Sequence, residues 1–345
     1  MAMGKQSVDG QGDLWVAATA LPKASGHPFY QRLNAVLKEK GFDAFAEAEC
    51  AGYYAEKMGR PSIPPGVYFR MLFIGYFEGI DSERGIAWRV GDSMALRKFL
   101  GYRFDEATPD HSSVSRTRRR MSVETHDRVF SRILTVLAKE GLLKGKTIGV
   151  DATTLEANAA MRSIVRRDTG EGYEAFLTRL AKASGIETPT REDLAKLDRK
   201  RPKKGSNEEW EHPHDPDAAI TKMKDTRTHL AHKAEHAVDM DTQAVVAVTL
   251  PQADEGDPDT LPWTLMEAEK QLAAVSEDAD AMKHLHEKPL SEVVTDKGYH
   301  SNDSLTGLDG IRTYISEPKR GRRDWEGKPD AKEAVYANRR RIRGQ

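Results

Sequence analysis

The sequence predicts a mixed α/β protein, in which an all-α N-terminal region precedes a mixed sheet flanked by helices. Three observations carry that expectation. Helical periodicity with recognisable caps fills the first ~145 residues. Strand-like runs follow at 146–151, 230–238, 244–250 and 292–296, with an amphipathic helix before the last of them. A strongly polar stretch separates the first two runs and reads as an insertion, about 156–228. The expected organisation is a flexible N-terminus over 1–25, a helical domain over 26–144 and a sheet domain over 145–345.

Each element has its reason. Pro61-Ser62-Ile63-Pro64-Pro65 is a rigid lead-in to a segment apolar on several faces, with Tyr68, Phe69, Met71, Leu72, Phe73, Gly75, Tyr76 and Phe77. A helix greasy all round is expected to be buried. Asp81-Ser82-Glu83-Arg84 caps a helix reaching about Gly91, and a short helix follows around Met94 to Leu100. Ser112 is read as the cap of a helix through Met121. Ser122 opens a longer one with Val129, Phe130, Ile133, Leu134 and Leu137 in one stripe, stopped by Gly141. Short helices with a basic segment are compatible with a helix-turn-helix reader.

Lys146 to Asp151 is an apolar strand with Asp151 at its C-terminal tip. The insertion is expected to be helical and mobile: Thr190 and Asp193 form a capping box, and a charged, Pro-containing loop spans Arg199 to Asp217. Leu230, His232, Ala234, His236 and Val238 alternate with Ala231, Lys233, Glu235 and Ala237 at strand period. Asp239 to Thr242 supplies a turn into the partner run Ala244 to Leu250. Asp259-Thr260 is read as the cap of a helix with Leu261, Leu265, Ala268 and Leu272 on one face. Glu292 to Asp296 then repeats the strand that finishes on an aspartate.

Hydrophobic residues at 38% support a core, while 31% charged residues imply much solvated surface. Net charge is −1 at 345 residues, so the distribution of charge says more than its sum. Arg116 to Arg120 and Arg199 to Lys204 are basic clusters, and Arg312 to Gln345 holds eleven Lys/Arg against five Asp/Glu. One such cluster is ordinarily a solvated face; three make a phosphate-backbone partner reasonable. Cys50 is the single cysteine, which excludes an intrachain disulfide and a cysteine zinc cage. Met1 to Trp15 lacks a signal-peptide pattern, and Val67 to Ile80 is short and interrupted by Arg70 and Glu78. A soluble cytoplasmic protein without a membrane partner is expected.

Asp151 and Asp296 are the candidate metal ligands. Strand backbone would fix both carboxylates, and a divalent cation would offset their mutual repulsion. Either aspartate alone is more often a strand-end cap or turn former. His212, His214, His229, His232 and His236 offer a rival transition-metal set, but no cysteine or His-Glu-x-x-His accompanies them. Phosphate-loop, dinucleotide and nucleophile-elbow signatures do not occur. A generic metal-dependent phosphohydrolase is a further reading of the two aspartates.

Gly149-Val150-Asp151-Ala152-Thr153-Thr154-Leu155-Glu156-Ala157-Asn158-Ala159 resembles the first-aspartate motif of bacterial insertion-sequence transposases of the DDE class. Val294-Thr295-Asp296-Lys297-Gly298-Tyr299 is similar to their second. Ser82 to Arg84, Leu96 to Gly101 and Pro109 to Arg116 resemble their helical N-terminal domain, and Asp215-Pro216-Asp217-Ala218 resembles the lead-in to their hairpin. The likeness covers roughly 26–345. It implies an RNase H-like sheet whose acidic triad binds two Mg²⁺ (or Mn²⁺) ions for phosphodiester cleavage and strand transfer. Asp151 and Asp296 would be catalytic metal ligands. Arg116, Arg118, Arg119, Arg120, Lys297, Arg339, Arg340 and Arg343 would contact DNA. The implied partners are double-stranded DNA, as terminal repeats and target, and a second copy in a homodimer at the nucleoid. The family's Tyr-x-x-Arg-x-x-x-Glu pattern is met by Tyr336 and Arg339, but Arg343 stands at the acidic position and Glu333 is the nearby substitute. The expectation is therefore a C-terminally truncated transposase, with an inactive copy that retains only DNA binding as the alternative.

Overall fold

The computed structural model describes residues 27–55, 62–201, 205–319, 321 and 323–344. The expected flexible N-terminus, Pro61 of the lead-in and Pro202 to Lys204 of the second basic cluster lie outside them. The chain divides into two compact units, Met1–Val129 and Phe130–Gln345.

The first unit is helical: α1 (Pro28–Glu39), α2 (Phe42–Cys50), α3 (Pro65–Glu78), α4 (Glu83–Gly91), α5 (Met94–Phe99), α6 (His111–Arg120) and the start of α7 (Val123–Lys139). α3 buries Tyr68, Met71 and Ile74 completely, yet it is not buried all round. Tyr76 and Phe77 in its last turn are 73% and 47% exposed, while Arg70 is buried. The Arg70 guanidinium forks onto the Asp43 carboxylate through two 2.9 Å bonds and donates to Asn34 Oδ1 at 2.8 Å. A bidentate pair of this kind admits a cation to a core-facing position that pattern alone assigns to an apolar residue.

Ser82 caps α4 as its position predicts, and Ser93 caps α5. α6 is capped by Asp110, not Ser112: its carboxylate accepts from the Ser113 amide at 2.9 Å and from the Ser112 and Ser113 hydroxyls. Three donors hold the Asp110 carboxyl well below the usual range, the Ser112 hydroxyl contributing most. Ser122 Oγ accepts from the Thr125 amide at 3.3 Å at the head of α7. Gly141, at φ +72°, closes that helix through bonds from its own amide to Ala138 O and from Leu142 to Leu137 O.

The second unit contains β1 (Thr147–Glu156), β2 (Val165–Arg166), α8 (Tyr173–Ala183), α9 (Arg191–Lys200), β3 (Trp210–Glu211), β4 (Ala219–Lys222), β5 (Thr228–Asp239) and β6 (Val245–Thr249). α10 (Asp257–Ser276), α11 (Ala279–Met282), β7 (Glu292–Thr295), α12 (Asn302–Gly307), β8 (Arg312–Ile315) and α13 (Pro329–Ile342) follow. β1 lies at the centre of the main sheet, antiparallel to β5 and parallel to β7, which is parallel to β8. The far edge of β5 pairs with β4 near its start and with β6 near its end, which is the expected hairpin.

Ile148, Val150, Ala237, Val293 and Ile315 form one core with Leu261, Leu265, Ala268 and Leu272 of α10. That is the stripe the sequence predicts; burying each Leu stabilises by about 1.5–3 kcal/mol. The start of α10 differs. The helix begins at Asp257 after an uncapped Gly256, so Thr260 lies inside it and is not its cap. Pro262 deprives the Pro258 carbonyl of its helical donor, and Ser304 Oγ approaches that carbonyl at 3.4 Å instead. None of the described helices is long and apolar enough to cross a membrane.

The insertion is more than helix and loop. Its described part folds around Trp210, 1% exposed, with Ile164, Ala218, Ile220 and Leu230. A β2–β3 ribbon and α8 enclose this small core, and the Arg166 and Arg201 guanidiniums stand 5.4 and 4.8 Å from the Phe176 ring centroid. Its apolar residues are too irregularly spaced for any period to reveal them, and one Trp collects them. The Thr190–Asp193 capping box forms as predicted.

Candidate active site

β1 does not stop at Asp151. It continues to Glu156 because β5 stays paired with it as far as Glu156↔Ala231. The parallel partner leaves earlier, the last registered pair with β7 being Val150↔Thr295. Asp151 and Asp296 are the next residue on each strand. Neighbouring strands lie about 4.8 Å apart, so the register brings the two residues to the point where these adjacent strands part. Extended backbone at Asp296 (φ −74°, ψ −179°) carries the alternation of β7 on to it. Val150 and Thr295 face α10, so Asp151 and Asp296 fall on the opposite face, and His236 is the cross-strand partner of Asp151.

Both aspartates are exposed, and neither makes an ion pair among the described residues. Asp151 Oδ1 accepts from the Ala152 amide at 2.9 Å, and Asp296 Oδ1 from the Gly298 amide at 2.7 Å. Each carboxylate thus has one oxygen fixed by backbone, its second lacking a hydrogen bond among the described residues. Among those residues no group of three or more His, Cys, Asp or Glu is arranged to hold a metal. Two strand-held carboxylates still suit Mg²⁺ chemically, because that ion takes hard oxygens and commonly uses one or two carboxylates plus water and substrate phosphate.

Behind the pair lies a polar network that sequence reasoning passed over. Glu235 is fully buried; its carboxylate accepts from Thr260 Oγ1 at 2.8 Å, Tyr299 OH at 2.9 Å and the Thr264 hydroxyl. Lys233, also buried, stands 3.7 Å from Glu235 and reaches Asp257 Oδ1 at 2.8 Å, Thr260 Oγ1 at 3.1 Å and Glu255 O at 3.2 Å. Burial, then Glu235, and more weakly Asp257 and Asp151, push the Tyr299 phenol far above its ordinary value, so it is a hydrogen-bond donor at any working pH. A Cβ on Gly298 would lie 2.8 Å from Asp257 Oδ2 and 3.0 Å from Asp296 Oδ1, so a side chain after Lys297 would have to displace the Asp257 carboxylate. The available signal was Thr260 and Thr264, one turn apart beside the apolar stripe of α10, opposite two charged residues on one face of β5.

Three of the rival histidines have partners of their own. His229 bonds Glu156 and Asp225, both at 2.8 Å, and Asp225 first, then Glu156, raises its pKa. His232 bonds Asp215 at 3.0 Å, and His212 is buried, accepting at Nδ1 from the His214 amide.

The predicted phosphate contacts sort by helix. On α6, Arg116, Arg118, Arg119 and Arg120 are exposed around the buried Val114 and Thr117. Arg118 pairs with Glu83 at 2.8 Å, Arg116 donates to Ser113 Oγ, and Arg120 stands over Tyr54. On α13, Arg340 and Arg343 are exposed, the latter capping the helix C-terminus. Arg339 is clamped on Glu317 at 2.6 and 2.8 Å, and that bond raises its pKa while holding Glu317 low. Lys297 is exposed beside Asp296, and Glu333 is exposed on α13.

Residues 19–120 match the family model described as Transposase domain (DUF772). No curated protein matches the chain.

Proposed function

We propose that this chain is a DNA transposase of the DDE class with an RNase H-like catalytic sheet. The observation that carries the reading is the placement of Asp151 and Asp296 at one register position on adjacent parallel strands, where β7 leaves β1. The order β6-β5-β1-β7-β8, with three antiparallel-linked strands followed by two parallel ones, supports the RNase H-like reading. The transposase-domain match supports transposition and DNA as partner.

In this mechanism Asp151 and Asp296 would hold Mg²⁺, which would supply Lewis-acid activation of a water or 3′-hydroxyl and stabilisation of the leaving oxygen. The backbone amides of Ala152 and Gly298 orient the two carboxylates. Lys297 offers a phosphate contact beside Asp296, and the exposed α6 arginines, with Arg340 and Arg343 on α13, hold the duplex backbone. Arg339 would have to exchange Glu317 for phosphate.

Duplex DNA carrying the element's ends, incubated with the protein and Mg²⁺, tests this. Cutting that Asp151→Asn abolishes while duplex binding persists supports the transposase. Salt-sensitive binding without any cutting favours the remnant that keeps only DNA binding. Turnover of small phosphoesters with salt-insensitive DNA binding favours the phosphohydrolase.

A further inference from the structure

The buried Lys233–Glu235–Tyr299 network sits where the proposed catalytic turn begins. Tyr299 is 1% exposed and ends the 3₁₀ turn Lys297–Tyr299, whose first amide-to-carboxylate bond fixes Asp296. Its hydroxyl is bound to Glu235 on β5, the residue next to His236, the cross-strand partner of Asp151. A bond of 2.9 Å therefore ties the turn carrying one aspartate to the strand lying against the other. Lys233 performs the matching task at the head of α10, holding Asp257 so that its Oδ2 closes against Gly298.

Two opposite charges buried in this layer make weak evidence for stability, because well-packed apolar residues of similar size often do as well. What they supply that apolar residues could not is direction. Glu235 accepts hydroxyl bonds from two elements, α10 and the turn, and Lys233 adds a bond to the first turn of α10. Van der Waals packing alone would let the short turn after β7 rotate about its ends.

We propose that Glu235, through the Tyr299 hydroxyl, and Lys233, through Asp257, are positioning residues that set the Asp296 carboxylate beside Asp151. The proposal rests on the transposase reading for its purpose, not for its geometry.

The test uses the full chain and two readouts. Tyr299→Phe keeps the ring and removes the bond; Thr135→Val removes a buried hydroxyl bonded to Ser131 O on α7 and serves as the stability control. Hydrogen exchange over residues 292–305 should quicken at least ~10-fold at the Gly298 amide in Tyr299→Phe and stay at the wild-type rate in Thr135→Val. Mn²⁺ affinity, read by electron paramagnetic resonance, should weaken ~10–100-fold in Tyr299→Phe alone, the usual effect of removing an outer-shell support. Wild-type exchange at Gly298 in Tyr299→Phe overturns the proposal whether or not metal binds. Equal quickening in the control overturns it as well. A wild-type chain that binds no Mn²⁺ sinks the catalytic reading, while the exchange rates still decide the positioning role.

Discussion

The second unit holds two acidic pairs close together, and their environments are opposite. Asp151 and Asp296 are exposed, held by backbone amides and free of ion pairs among the described residues. Glu235 and Asp257 answer to one buried lysine and a set of hydroxyls. A cation stands beside both acids of the second pair and, among the described residues, beside neither acid of the first. Carboxylates without a cation nearby are open to an external one, whereas carboxylates that share a buried lysine bind elements together. Proximity in the fold therefore does not make four acids one site; the placement of Lys233 divides them.

The sharpest way to break this comparison is to remove the cation. Lys233→Met should cost about 3–5 kcal/mol in urea denaturation, because Glu235 is left buried with its charge. Asp151→Asn and Asp296→Asn should stay within about 0.5 kcal/mol of wild type in the same assay. Should Lys233→Met melt like the parent, the buried pair is not what binds β5 to α10.

Gly298→Ala comes next. The new methyl would meet Asp257 Oδ2 at 2.8 Å, and Asp257 cannot swing aside without leaving Lys233. A loss of about 1–3 kcal/mol is expected, as for overpacking elsewhere, together with weakened Mn²⁺ binding. The matching Gly307→Ala, where nothing lies within 4 Å, should leave metal binding unchanged.

Acid titration separates compensated from uncompensated carboxylates by a third route. The Arg339 bond comes first among the causes that lower the folded-state pKa of Glu317 below its ordinary 4.5. Its stabilising contribution is present above pH 4.5 and disappears as pH falls through the lowered value. Arg339→Gln should flatten that part of the stability–pH curve, and an unchanged acid limb would show the clamp to be energetically idle.

The smallest effects belong to the arginines. Arg119→Ala should reduce the slope of log affinity against log salt by about one unit of released counterion, measured on any duplex. Arg341→Ala should leave the slope alone, since its guanidinium donates to the Thr313 carbonyl and hydroxyl.

These outcomes also mark what was legible in the sequence. The strands that carry Asp151 and lead to Asp296 were legible because strand period and an apolar run are local signals, although β1 runs on past Asp151 to Glu156. The α10 stripe and the Ser82 cap were legible for the same reason. Asp110 was missed as a cap because two serines after it carry the same chemistry, and only the bond directions separate them. Lys233 and Glu235 stand in the sequence only as one phase of an alternating strand, with Ala231 and Ala237. Nothing in an alternating pattern tells which face a helix 22 residues downstream of Glu235, counted from Asp257, will cover. Arg70 is the same failure in the other unit: its partner Asp43 lies on another helix.

β1 passes without a break from the Asp151 position to the edge of the Trp210 core, paired on that length with β5 alone. Because side chains alternate along a strand, deleting one residue between Asp151 and Glu156 would turn one end of the ribbon over relative to the other. Deleting two would restore both faces and merely shorten the stem. Descendants of this architecture can thus exchange or resize the appended module only in even steps, a parity rule written into the backbone and readable by comparing stem lengths.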